Sequence, residues 1–277
     1  MAYLTSMAAR LTDRPLLLRH RARAMRANKG LFLHELARDE LIERQNEVNR
    51  TFTSPIVIAP YPSLWPDLPT IDDTETLDLQ PGAHDLVLHA MALHWADDPV
   101  GQLIQSRRAL KPDGLFLGVL FGGETLHELR TCLTEAEARL LGGLSPRLLP
   151  MAEIRDIGAL LQRAGLALPV ADSQTITATY DSPRGLLHDL RAMGETSALA
   201  SRGAPLRRDV LHHAEALYAD RFADPSGRIT ATFDLIFLSG WAPADSQPKP
   251  LRPGSAAQRL ADALGATEQP LQRDTND

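Results

Sequence analysis

The sequence predicts an α/β domain built on a mostly parallel sheet, and three observations carry that prediction. Residues 84–123 read as strand, helix and strand, Ile56–Ala59 reads as an earlier strand, and 277 residues suffice for one large domain with a substantial core. Asp85–Leu93 is an apolar run of strand length. Asp97 or Asp98 can cap a helix with Pro99 in its first turn, and Val100, Leu103, Ile104 and Leu110 recur at helical spacing. That helix should stop before Lys111-Pro112-Asp113-Gly114, because proline cannot continue it and Gly114 can take positive φ. Leu115–Phe121 is the next buried-type strand. Two strands joined through a helix close right-handed into parallel pairing. Ligands in such sheets lie beyond the carboxyl ends of the strands, so Ala90–Trp95 and Phe121–Glu124 should face any site.

Taken in order, the chain opens on a basic segment. Within residues 1–34, Arg10, Arg14, Arg19, Arg21, Arg23, Arg26 and Lys29 face a single acid, Asp13. This reads as a solvated basic helix that touches an acidic partner or, at most peripherally, a membrane surface; in a eukaryotic source it would also suit a mitochondrial targeting segment. Leu31–Val48 carries Leu33, Leu36, Ala37, Leu41 and Ile42 near helical spacing and should pack on the sheet. After Ile56–Ala59 comes Pro60-Tyr61-Pro62-Ser63-Leu64-Trp65-Pro66-Asp67-Leu68-Pro69, in which four prolines prevent a regular helix. Beyond Gly123, helices are expected over Thr125–Leu141, Ile154–Arg163, Arg184–Met193 and Arg207–Phe222, with strands over Leu168–Tyr180 and Arg228–Leu238. Residues 243–257 should be irregular, a short helix is expected over Ala257–Leu264, and the last residues should be disordered. The expected organisation is an N-terminal helical segment over 1–50, an α/β domain over 51–242 and a Pro-rich segment with its tail over 243–277.

Charge and composition exclude several classes. A formal net charge of −6 argues against a general nucleic-acid binder. The single Cys132 allows neither a disulfide framework nor a CxxC zinc site within one chain, which suits a reducing compartment. The most apolar stretch, Gly114–Gly123, is too short to span a bilayer. His84, His89 and His94 recur every five residues and so alternate sides of a strand, which suits no metal site, and His212-His213 read as helix surface. Neither a Ser-His-Asp arrangement nor a phosphate-binding glycine loop is readable.

The pattern D-L-V-L-x-x-x-A-L-H-W, followed by R-R-A-L-K-P-D-G-L-F-L and G-G-E-T-L-x-E-L-R, resembles the second half of a class I S-adenosylmethionine methyltransferase domain. Leu160–Val170, Asp189–Glu195, Ala231–Pro243 and Lys249–Ala256 are further similar to the respiratory complex I assembly-factor methyltransferase-like family. The resemblance implies a Rossmann-like fold with an antiparallel edge made by the 168–180 and 228–238 strands. It implies S-adenosylmethionine as cofactor and a protein partner, a respiratory complex I subunit, reached by methyl transfer or arginine hydroxylation. A methyltransferase acting on a small molecule or an acyl carrier is the alternative. The location would be cytoplasmic in a bacterium and the mitochondrial matrix in a eukaryote.

An active domain of this kind needs a glycine-rich turn after the first strand, where the backbone approaches the cofactor. No glycine lies between Gly30 and Gly82. Residues 60–84 supply 25 positions, where even one βαβ unit takes roughly 30. The cofactor half should therefore be truncated, leaving a degenerate enzyme or a binding module. Asp73, in Asp73-Thr74-Glu75-Thr76-Leu77, resembles the adenine-side acid, and Ala90 is the other expected cofactor contact. The catalytic candidates are His94 and Trp95, at the end of a central strand, and Glu124 after the next one; packing behind the site and a helix-dipole contact are the favoured readings against them. Glu195 and Arg191 could hold a protein substrate or end a helix. Arg252, in the Pro-rich Lys249–Ala256 block, is a candidate partner contact. Trp65 or the prolines filling the cofactor cleft would favour the module over the enzyme.

Overall fold

A computed structural model describes residues 10–27, 29–201 and 203–247. The chain divides into one compact unit over 1–244 and another over 245–277, and the fold below is that of the first. The Ala257–Leu264 helix, Arg252 and the Lys249–Ala256 block lie outside the described residues.

The elements run α1 (Arg14–Ala27), α2 (Phe32–Glu47), β1 (Pro55–Ile58), β2 (Thr70–Ile71), β3 (His84–Ala90), α3 (Pro99–Ala109), β4 (Leu110–Phe121), α4 (His127–Leu141), α5 (Ile154–Arg163), β5 (Ala167–Tyr180), α6 (Pro183–Ala192), α7 (Arg208–Phe222) and β6 (Ile229–Trp241). The sheet order is β2-β1-β3-β4-β6-β5. β2, β1, β3 and β4 pair in parallel, whereas β6 runs antiparallel to both β4 and β5, which makes the expected antiparallel edge. The central strands β3 and β4 are buried on both faces because helices cover both. One face packs Leu33, Ala37 and Leu41 of α2, Leu129 and Leu133 of α4, and Tyr218 of α7; the other packs Leu103 of α3 with Ile157 and Leu161 of α5.

The βαβ unit forms as its residues require. Asp98 caps α3 by accepting from the Gly101 amide at 2.8 Å, with Pro99 in the first turn. Asp97 instead accepts from the Leu11 and Thr12 amides at 2.8 and 2.9 Å, tying the amino-terminal segment to this end of the sheet. At Lys111-Pro112-Asp113-Gly114 the positive φ of 61° belongs to Asp113 rather than Gly114. Gly114 is needed for a different reason: a Cβ there would lie 2.9 Å from the Lys111 carbonyl oxygen. The strand pairing already begins at His84 and Leu110 and absorbs the turn as a register irregularity before Leu86.

Between β1 and β3 the described chain holds only a 3-10 turn over Pro62–Leu64 and the two-residue β2, which is the truncation expected from the spacing. The basic helix departs from expectation. Arg21 of α1 is buried and Arg14 points inward, because both guanidinium groups find the carboxylate of Asp73. β3 ends three residues earlier than its apolar run suggested, since Met91 takes φ 50° and the chain turns into a buried 3-10 segment, Leu93–Trp95.

Candidate functional site

The place for a cofactor in this architecture lies beyond the carboxyl ends of β1 and β3. Pro60 sends the chain from β1 back over those ends, and Tyr61 and Trp65 turn inward there, 1% and 5% exposed. The Tyr61 hydroxyl donates to the Met193 carbonyl at 2.7 Å, and its ring packs edge-on against His34 at 4.7 Å. Burial pushes the Tyr61 hydroxyl well above its ordinary pKa, so it stays a donor. What remains between His34, Tyr61, Trp65, Ala90 and Met91 is a void of about 10 Å³. Small-molecule sites run to roughly 300 Å³ and more. Ala90 therefore faces side chains and not a cleft.

Asp73 lies at the rim of this region, 3% exposed. Arg14 donates to both of its oxygens, at 2.9 and 2.6 Å, and Arg21 donates at 2.7 Å. Burial alone would raise this carboxyl; the charges and hydrogen bonds of Arg21 and Arg14 outweigh it and hold the group below its ordinary value. A polar cleft of about 330 Å³ persists beside it, with Thr12, Arg14, Asp73, Glu75 and Asp97 in its wall. It has no glycine turn, and its one sequence-predicted adenine acid is committed to two arginines. The residues present do not form a cradle for S-adenosylmethionine.

The other candidates converge elsewhere. The Glu195 carboxylate, 4% exposed, accepts from the Trp95 indole N–H at 2.7 Å. It lies 3.3 Å from His94 Nε2 and 3.4 Å from His34 Nε2. Burial would raise it, but the hydrogen bonds and charges of His34 and His94 hold it well below the usual carboxylate range. The geometry depends on Gly194, which takes φ 79° and where a Cβ would come within 2.3 Å of the Tyr61 hydroxyl. Methionine, glycine and glutamate in that stretch thus act together: Met193 receives Tyr61, Gly194 gives clearance, and Glu195 turns inward.

Glu195 and Trp95 are among the residues lining an apolar cavity of about 500 Å³ beyond the end of β4, with Phe121, Leu129, Leu133, Leu190, Leu199 and Phe233. The Glu195 oxygen that makes no hydrogen bond is itself buried and faces His34 Nε2 at 3.4 Å. A buried carboxylate lining an apolar cavity suits a ligand with an apolar stem and a cationic head.

The structure therefore brings His94, Trp95 and Glu195 together, although 101 residues separate the first from the last. It adds His34, which no motif marks. Glu124 is exposed and its backbone contacts the Asp234 carboxylate, outside the cavity wall. Arg191 is exposed at the end of α6, apart from the Glu195 carboxylate. The three spaced histidines go separate ways: His84 to the Ser54 carbonyl at 3.2 Å, His89 to Gln102 at 2.8 Å and His94 to Glu195.

Residues 66–118 match a methyltransferase domain, and the chain is 40% identical over 197 residues to "Arginine-hydroxylase NDUFAF5, mitochondrial" of Mus musculus, covering 70% of this chain and 57% of that protein. Over residues 66–118 the chain is similar to a methyltransferase domain. The namesake from Danio rerio is 38% identical over 190 residues, covering 69% of this chain and 59% of its own length. A "Malonyl-[acyl-carrier protein] O-methyltransferase" of Laribacter hongkongensis is 36% identical over 173 residues, covering 62% and 56% respectively. The chain thus spans less than two thirds of each of these relatives. Among the described residues no helix is long and apolar enough to cross a membrane.

Proposed function

We propose that this protein is a recognition module for a protein partner, with its S-adenosylmethionine site closed and methyl transfer lost. The observation that carries the reading is the burial of Tyr61 and Trp65 where the nucleoside would sit, with about 10 Å³ left between them and β3. The loss of the glycine turn and the engagement of Asp73 by Arg14 and Arg21 support it.

The recognised group enters the Glu195 cavity. An apolar cavity lined by a buried carboxylate fits arginine, whose three methylenes pack against leucine and whose guanidinium pairs with an acid. The relatives' name, arginine-hydroxylase, agrees with that choice, and the resemblance to complex I assembly factors points to a subunit of that complex as the partner. The full chain, titrated with fluorescent peptides bearing arginine between apolar residues, is expected to bind them, to reject their citrulline counterparts, and to lose binding in Glu195→Gln. Equal binding of both peptide sets would overturn the cavity assignment. Methyl transfer to an acyl carrier would overturn the loss of catalysis.

A further inference from the structure

α1 contains no acidic residue, and its spacing sorts its cations into two sets. Arg14 and Arg21 turn inward to Asp73. Arg19, Arg23 and Arg26, at i, i+4 and i+7, share an outward stripe. Leu18 and Met25, 50% and 47% exposed, lie about a quarter-turn or more round the helix from that stripe.

The end of α6 packs against this helix. A Cβ on Gly194 would lie 3.4 Å from the Arg21 Cα and 3.5 Å from the Ala24 Cβ, and His20 Nδ1 is 2.9 Å from the Thr196 hydroxyl. Arg191, in the last turn of α6, comes near enough for its charge to act on Arg23. Burial, and then the positive charges of Arg191 and Arg26, hold the Arg23 guanidinium below its ordinary pKa. Burial and the charges of Arg23, Arg191 and Arg19 depress His20 in the same way.

Arg14, Arg21, Arg44, Arg184, Arg221 and Arg228 each pair with a carboxylate. Nε and Nη2 of Arg23 are buried without a hydrogen-bond partner, as are Nε and Nη2 of Arg21, but among the described residues no carboxylate pairs with Arg23. A buried donor left unsatisfied among like charges is unfavourable until an anion joins it. We propose that Arg19, Arg23, Arg26 and Arg191 form a binding site for a phosphate-bearing ligand, with the phosphate bridging Arg23 and Arg191. Two guanidinium forks match phosphate oxygens bidentately, which a lysine pair would not do. The phosphate has two sources, an anionic lipid headgroup or a free phosphate ester. The exposed Leu18 and Met25 give the same helix an apolar flank, which suits a lipid interface and favours the first.

The test uses the full chain with vesicles of phosphatidylcholine, alone or with added phosphatidylglycerol, and with inorganic pyrophosphate. Anionic vesicles should bind and neutral ones should not, and replacing both Arg23→Gln and Arg191→Gln should weaken binding about 30-fold. Arg221→Gln, on another face, should leave it unchanged. If lipid is the source, Leu18→Ser with Met25→Ser weakens vesicle binding further; if a free ester is, pyrophosphate binds, depends on Arg23 and Arg191, and is indifferent to Leu18 and Met25. Should the double glutamine variant fail to fold, the exposed pair Arg19→Gln and Arg26→Gln replaces it. The proposal is overturned if neither probe binds, if the arginine variants bind undiminished, or if only an acidic peptide such as polyglutamate binds.

Discussion

Replacing Asp73 with Asn separates an adenine-binding acid from a structural anchor. In the fold this carboxylate is the counter-charge of Arg21, both side chains being 3% exposed. Removing one partner of a buried ion pair leaves the other uncompensated, at a cost of about 3–5 kcal/mol. Arg14 is 28% exposed, so its share is screened and adds no more than ~1 kcal/mol. For a domain of this size each kcal/mol lowers the melting temperature by roughly 2–4 °C, so Asp73→Asn should lower it by about 6–24 °C. Calorimetric melting of both proteins measures this directly. Asp73→Leu combined with Arg21→Met should recover much of the loss, because an apolar pair of similar volume replaces a buried charge pair at little cost. The pH dependence follows from the same pair. Since the folded-state carboxyl is depressed, its stabilisation is present in full above the unfolded carboxyl value and is lost as pH falls through the folded one. The wild-type and Asp73→Asn melting temperatures should therefore converge in acid. An unchanged melting temperature in Asp73→Asn at neutral pH would refute the anchor assignment.

Three further outcomes are expected. Glu195→Gln weakens the acceptor of the Trp95 N–H and removes the counter-charge facing His34 and His94, costing about 1.5–3 kcal/mol in urea unfolding at neutral pH; because the native carboxyl is depressed, the difference from wild type should shrink as pH falls below about 4. Trp65→Ala empties a filled site and should cost about 3–5 kcal/mol by the same measurement, without creating S-adenosylmethionine binding, because the glycine turn is still missing. Asp98→Ala removes the α3 cap and should cost about 0.5–2 kcal/mol, with Asp98→Asn close to wild type.

Local signals in the sequence located most of the fold. Pro99 after an aspartate, apolar spacing through α3, and the β-branched run of β5 each act within a few residues, so the elements formed near where their own residues put them. The truncated first half was legible as well, because chain length bounds what can be built between β1 and β3. Long-range pairings were not. Seven basic residues before position 34 read as a solvated face, because the partner that draws Arg21 inward, Asp73, lies 52 positions away. His94-Trp95 and Glu195 were each selected for their motifs, but their meeting depends on the clearance at Gly194. Glu124 was placed at a helix start by its sequence; Leu126 takes φ 56° there and α4 begins only at His127, which leaves Glu124 on the surface.

The central claim is that the cofactor site is closed, and titration calorimetry of the purified chain with S-adenosylmethionine tests it most directly, with Asp73→Ala as the companion variant. A closed site gives no binding heat at millimolar cofactor for either protein. Micromolar binding by the wild type that Asp73→Ala weakens would contradict it, since Tyr61, Trp65 and both arginines would then have to leave the places they occupy.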